Sequence, residues 1–204
     1  MTAIQGQLQT AQHQHQLVEV YGFNDPEMFD IGYVVGIDDE FVLLLGHDWD
    51  GKINGLTAMR LSRITKVVVD DDYLITLKYK ADVAREYDYY DRWELTQQAA
   101  TTDYVTDGIF PQLLNQVFNQ QQALVIGTNQ YNGSDEFQGF ITELNAWSLT
   151  MHYFNSHDLS SVWEYRVPLE EIEYLRCFGY QAAQTERIFE RVFHLPKGVM
   201  KNEE

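Results

Sequence analysis

A single cysteine, Cys177, stands in 204 residues, and that scarcity excludes both an intrachain disulfide and a thiolate metal site. It falls between Arg176 and Phe178 in an expected strand, where a free thiol behaves as a small buried hydrophobe. Basic residues are few as well: 14 Lys and Arg face 31 Asp and Glu, for a net charge of −17. Such a chain repels phosphate backbones, because nucleic-acid affinity rests on Lys and Arg displacing counterions. The acidity otherwise reads as a solvated surface that favours basic partners. No apolar run approaches the roughly 20 residues of a membrane span, and residues 1–16, rich in Gln and His, do not resemble the apolar core of a signal peptide. The expectation is a cytoplasmic protein without membrane attachment. Also missing are a Gly-x-Ser-x-Gly elbow, a phosphate-binding glycine loop and a cysteine with a partner base, so neither enzyme chemistry nor a cofactor is expected. Asn132-Gly133-Ser134 has the form of a glycosylation acceptor, but without a secretory signal its Asn-Gly pair reads as a turn.

What the chain does have is a second copy of itself. The sequence Gly-Tyr-Val-Val-Gly-Ile at 32–37 recurs as Gly-Phe-Ile-Thr-Glu-Leu at 139–144, 107 residues on. A period of about one small domain points to two copies of one fold. Leu17-Val18 aligns with Leu124-Val125, residues 41–45 with 147–151, and Leu61-Ser62-Arg63-Ile64 with Leu169-Glu170-Glu171-Ile172. The offset drifts between 106 and 108, as single-residue loop changes would make it.

Each copy reads as a helix followed by five short strands. In the second, Pro111 lies in a first turn and Leu113, Leu114, Val117 and Phe118 follow at helical spacing. In the first, 4–16 is Gln-rich, with Ile4, Leu8 and Ala11 on one face. Strands are expected at 17–23, 31–37, 41–46, 56–60 and 66–69, and again at 124–128, 140–144, 147–153, 162–167 and 174–178. Leu61 and Ile64, like Leu169 and Ile172, are spaced for one tight helical turn before the fifth strand. A helix is expected after each copy, at 72–92 with Asp72 as its cap and at 184–193 with Ile188 and Val192 inward. Ile75, Leu77 and Tyr79 also alternate well enough to extend a strand. Residues 96–107 lack an apolar period and read as a linker, dividing the chain into 1–95 and 108–204. The fold class expected is mainly β with flanking helices, in two tandem five-stranded small barrels.

This order resembles the Sm-like (LSm) fold, within the wider SH3-like small-barrel group. The match is strongest over 32–41, where Gly32 opens strand two, Ile37 precedes Asp38 and Phe41 follows three positions later, as in the first Sm motif. The resemblance covers about residues 5–70 and 111–178. RNA-binding members place a base-contacting asparagine after that large apolar residue; here the positions hold Val42 and Ser148. The Arg-Gly pair of the second Sm motif is absent as well, with Ser62-Arg63 and Glu170-Glu171 near its place. The resemblance implies the fold and not residue-by-residue RNA binding. It also implies that barrels join through the fourth strand of one and the fifth of the next, with Val67 and Val69 of one copy and Leu175 and Cys177 of the other along the joints, either within one chain or between chains.

The reading that fits these features is a non-catalytic, cytoplasmic, bacterial interaction or assembly module with a protein partner or self-association. The aromatic run at 86–93 offers Tyr87, Tyr89, Tyr90 and Trp93, which either dock the connecting helix onto a barrel or meet a partner. An alternative is an RNA or nucleotide binder using Arg60, Arg63 and Lys66. A third reading is a metal-assisted hydrolase built on His47, Asp48 and Asp50, although that run has the composition of a hairpin turn and lacks the closing glutamate of a calcium loop. Equivalent core positions are expected at Val34 and Ile141, Leu43 and Leu149, Ile64 and Ile172, in two separate sheets.

Overall fold

Thr2 opens the first helix, α1 (Ala3–His13), with a capping box: its hydroxyl accepts from the Gln5 amide while the Gln5 side chain accepts from the Thr2 amide. Leu8 and Ala11 are the face it buries, with Ile4 half-buried beside them. The computed structural model describes residues 2–22, 27–128, 135–161 and 163–194. The expected strand residues Phe23 and Val162 and the turn at Asn132 lie outside them.

Five strands follow α1: β1 (Leu17–Tyr21), β2 (Phe29–Ile37), β3 (Phe41–His47), β4 (Ile53–Arg60) and, after a 3-10 turn at Leu61–Arg63, β5 (Lys66–Val68). Next come α2 (Asp72–Glu86), α3 (Leu95–Thr101) and α4 (Ile109–Gln120). The second series is β6 (Ala123–Thr128), β7 (Asp135–Leu144), β8 (Ser148–Tyr153), β9 (Glu164–Pro168), a 3-10 turn at Leu169–Glu171 and β10 (Ile172–Cys177), and α5 (Gly179–Phe193) closes the described chain. The ten strands form one antiparallel sheet in the order β5-β1-β2-β3-β4-β10-β6-β7-β8-β9. Among the described residues the protein is therefore mainly β with five helices, and the sheet is open, since β5 and β9 each pair with one strand there.

The order β5-β1-β2-β3-β4 recurs as β10-β6-β7-β8-β9, so the two halves repeat one strand order. They do not form two separate sheets, because β10 pairs with β4 from Cys177 opposite Leu56 to Tyr174 opposite Met59. Leu175 and Cys177 lie in that joint as expected. Val67 belongs to the free outer strand, paired only with β1, and Val69 follows its end. An edge strand needs a partner for its unpaired N–H and C=O groups, and here the second half supplies it to the first.

Register moves two of the sequence alignments by one residue. Val18 faces Gly32 as Leu124 faces Gly139, so Leu17 corresponds to Ala123 and not to Leu124. Ile37 faces Val42 as Leu144 faces Leu149, which makes Val42, not Leu43, the counterpart of Leu149. Val34 and Ile141 do correspond, each just before a bulge. Ile64 and Ile172 are both buried after their 3-10 turns. Because side chains alternate along a strand, each slip exchanges the two faces.

The helical expectations shift similarly. Asp71, not Asp72, caps α2, accepting from the Leu74 amide at 2.8 Å. Residues 75–79 are helical and do not extend β5. α5 starts at Gly179 and buries Ala182, Thr185 and Phe189, with Ile188 packed half-buried against the same cluster and Val192 half-buried. The stretch 96–107 contains most of α3 and a buried Tyr104, whose hydroxyl accepts from Gln98 and donates to Gln116. Its missing apolar period reflects a helix of seven residues, too short to show one.

The cores follow the sheet. α1 covers Val18, Val20, Val34, Val42 and Leu44, while α4 packs Leu113, Leu114 and Val117 against Leu124, Ile126, Ile141 and Leu149. That second core continues under the joint to Leu43, Leu56, Ala58 and Cys177, so both halves bury side chains in one apolar mass. Each fully buried Leu contributes roughly 1.5–3 kcal/mol relative to an exposed one. Gly55, at φ +101°, makes the joint possible: a Cβ there would sit 2.9 Å from the Cys177 carbonyl oxygen.

Candidate functional site

The arginines suggested for RNA are committed to the joint. Arg60 directs Nε and Nη2 to the Ile172 carbonyl at 3.3 and 3.0 Å, and its Nη1 meets Glu40 at 2.6 Å. Arg63 pairs with the buried Glu173 at 2.7 Å. On the opposite side of the sheet Arg176 reaches Asp30 at 2.6 Å, and the Tyr174 hydroxyl donates to the same oxygen at 3.1 Å. Lys66 is exposed, with its ammonium 4.5 Å from the Tyr21 ring centre. The three basic residues thus act in two different settings.

The histidine and acids of 47–50 part company too. Asp48 and Asp50 turn toward Lys52, at 3.5 and 2.7 Å, closing the hairpin between β3 and β4. His47 turns inward against the Tyr33 ring at 5.2 Å, and its Nε2 lies 3.3 Å from the Tyr90 hydroxyl. Among the described residues no group of three or more His, Cys, Asp or Glu side chains is placed to hold a metal ion. Burial lowers the His47 pKa to about 4, with the nearby Arg85 adding to the effect. Burial alone pushes the Cys177 thiol up, away from the reactive thiolate.

The aromatic run divides. Tyr90 and Trp93 pack against the core, Trp93 edge-on to Tyr180 of α5 at 6.1 Å. The Arg85 guanidinium lies 3.9 Å over the Tyr90 ring. Tyr89 is half-buried, and Tyr87 stays 68% exposed.

Tyr87 has company that sequence reasoning missed. α2 buries Leu74, Leu77, Ala81 and Ala84 against β1 and its neighbours, yet Ile75, Tyr79 and Val83 are exposed on the far side. With Tyr87 these form a ridge at four-residue steps, the i±4 row through which helices pack on one another. Trp49, 69% exposed, lies alongside, its carbonyl accepting from Lys80 Nζ at 2.8 Å and its ring 5.5 Å from the same ammonium. The turn carrying Trp49 is pressed onto α2 at Gly51, at φ +89°, where a Cβ would lie 2.5 Å from the Ala81 amide nitrogen.

The second copy provides an internal comparison. Leu74, Leu77 and Ala81 of α2 correspond to Ala182, Thr185 and Phe189, the buried face of α5. In that alignment the ridge positions Ile75, Tyr79 and Val83 become Ala183, Arg187 and Arg191. The same place in the fold is polar in one copy and apolar in the other, so packing does not require the ridge. α2 is also locally neutral, with Asp72, Asp82 and Glu86 against Lys78, Lys80 and Arg85, in a chain carrying −17.

No helix among the described residues is long and apolar enough to cross a membrane. Compared with family models, with curated proteins and with solved structures, the chain gives no significant match.

Proposed function

We propose that this protein is a non-catalytic, cytoplasmic interaction module: two Sm-like small barrels fused edge to edge, which present the outer ridge of α2 to a protein partner. The repeated strand order, the leading helix of each half and the 3-10 turn before β5 and β10 support the Sm-like reading of each half. The observation that carries the functional reading is the ridge Ile75, Tyr79, Val83 and Tyr87, apolar and exposed where the second copy has Arg187 and Arg191. Exposed apolar surface of this kind marks interaction sites.

The partner that fits best is a second copy of the chain. Two surfaces of strongly negative protein repel, and the repulsion is least where local charge cancels, as it does on α2. A single i±4 ridge can also seat in the grooves of an identical helix related by a twofold axis.

Light scattering across a dilution series tests this. The native chain is expected at twice its 23.8 kDa mass, and Tyr79→Lys is expected to weaken the dimer about 30-fold, the ~2 kcal/mol of a lost aromatic anchor. Arg187→Ala, at the equivalent place in α5, leaves it unchanged. A monomeric native protein, or a dimer indifferent to Tyr79→Lys, overturns the pairing.

A further inference from the structure

A cleft of about 540 Å³ opens between the end of α1, the face of β2, Arg85 of α2 and α3. Its size falls within the range of small-molecule sites, which are mostly apolar with a few placed polar groups. Tyr33 and Val35 of β2 form one wall, Tyr90 and the exposed Ala100 of α3 another, and Arg85 and His15 stand at the cleft as its basic side chains. Below, His47 touches both tyrosines, its ring centre 5.2 Å from that of Tyr33 and 5.7 Å from that of Tyr90, and so fixes the two aromatic walls relative to one another.

The charge of this cleft runs against that of the molecule. Although 31 of 204 residues are acidic, no Asp or Glu lines it. The neighbouring cleft of similar size is lined by Asp38, Asp39, Glu40 and Glu170. The acids nearest the first cleft are engaged elsewhere: Asp91 caps α3, accepting from the Leu95 and Thr96 amides at 2.9 Å each, and Asp82 pairs with Arg85 at 2.8 Å on the exposed side of α2. An exposed pair of that kind contributes little and yields readily to a competing anion. The Arg85 guanidinium carbon already lies 3.9 Å from the Tyr90 ring centre, which limits its freedom and favours a planar anionic group at its donors.

From this placement we infer that the cleft is a binding site for a small planar aromatic anion, its ring between Tyr33 and the α3 wall and its carboxylate on Arg85. The site shares α2 with the proposed dimer surface through Arg85, while its aromatic walls lie on β2, α3 and the segment before it.

Titration of the isotope-labelled intact chain with 2-naphthoate, followed by amide chemical shifts, tests the assignment. Saturable shifts are expected to centre on Tyr33, Val35, Tyr90 and Ala100. The uncharged 2-naphthamide is expected to bind about tenfold more weakly, the loss of one charge-assisted contact, and Arg85→Gln to weaken naphthoate by a similar factor. Ala100→Trp, at an exposed helical position that fills the cleft, is expected to abolish binding. Shifts centred elsewhere, equal binding of acid and amide, or naphthoate binding that survives Ala100→Trp would each overturn the proposal. The native-chain mapping decides it even if a variant does not fold.

Discussion

Burial of the His47 imidazole between Tyr33 and Tyr90 couples its protonation to folding. Its pKa falls from 6.5 to about 4, with burial as the first cause and the Arg85 charge as a further one. A depressed base contributes stability that is complete above the unfolded value and lost as pH falls through the folded one. The window is therefore pH 6.5 down to about 4, and the difference corresponds to on the order of 3 kcal/mol. Urea unfolding at stepped pH should show the native chain losing about that much more stability than His47→Gln across the window. Parallel curves would mean that His47 is free to protonate in the folded state. At the same scale, Ile75, Leu77 and Tyr79 show why the ridge was hidden in the sequence. Their alternation suits a strand, where 75, 77 and 79 share a face. On a helix the same three divide, with Leu77 in the core and Ile75 and Tyr79 outside. Asp38 falls in the short gap between the expected second and third strands, and it accepts from the Glu40 and Phe41 amides there. Its second oxygen accepts from Ile109 at the start of α4, a link across 71 positions that no local pattern reveals.

Between elements, the joint of β4 with β10 decides whether the halves act as one body. Four residue pairs face one another there, from Tyr174 and Met59 to Cys177 and Leu56, but the anchoring groups are Arg60 on the Ile172 carbonyl, Arg63 on Glu173, and Arg176 with Tyr174 on Asp30. Cys177 reports on it, since its buried thiol lies opposite Leu56 with Sγ 3.8 Å from that residue's carbonyl oxygen. Labelling by a thiol reagent is expected to be silent in the folded chain and to proceed only at the rate of opening. Arg60→Met should raise that rate about tenfold or more, because it strips the Ile172 carbonyl and Glu40 of a charge-assisted partner worth roughly 1.5–3 kcal/mol. Labelling at an unchanged rate in this variant would show that Arg60 does not hold the joint. The elements themselves were largely readable: the α1 and α4 helices, the strand positions and both 3-10 turns follow from periodicity and spacing. Register was not, because Leu17-Val18 matches Leu124-Val125 better by letter than by pairing, and Phe41 matches Trp147 by its large ring although the strand pairing sets Phe41 against Ser148. The continuous sheet was beyond reach for another reason. It depends on which of several free edges β10 meets, and the contacts that tie β10 to the first half, such as Arg176 with Asp30 of β2, join residues 146 positions apart.

For the whole molecule, the unresolved competition is between pairing through helices and pairing through strands, since β5 and β9 remain edges. If the internal joint were simply repeated between chains, β9 of one copy would take β5 of the next and an open series or a ring would grow. The residues at the outer edges argue against it. Carried onto the matching positions of the other copy, Arg60 becomes Pro168, Tyr174 becomes Lys66, Arg176 becomes Val68 and Asp30 becomes Phe137, so the charged lock of the inner joint has no outer counterpart. β5 is also only three residues long and begins with a lysine, while β9 ends in a proline and exposes Glu164 and Arg166. Short strands, charged side chains and proline are the devices that keep sheet edges from pairing. Assembly is therefore expected to stop at the dimer formed through α2. Native mass spectrometry over micromolar to millimolar protein should show one chain and two, with the transition moved to about 30-fold higher concentration in Tyr79→Lys. A ladder of three, four and more copies, or a closed ring that persists in Tyr79→Lys, would place the contact at β5 and β9 and show that these edges pair despite their lysine and proline.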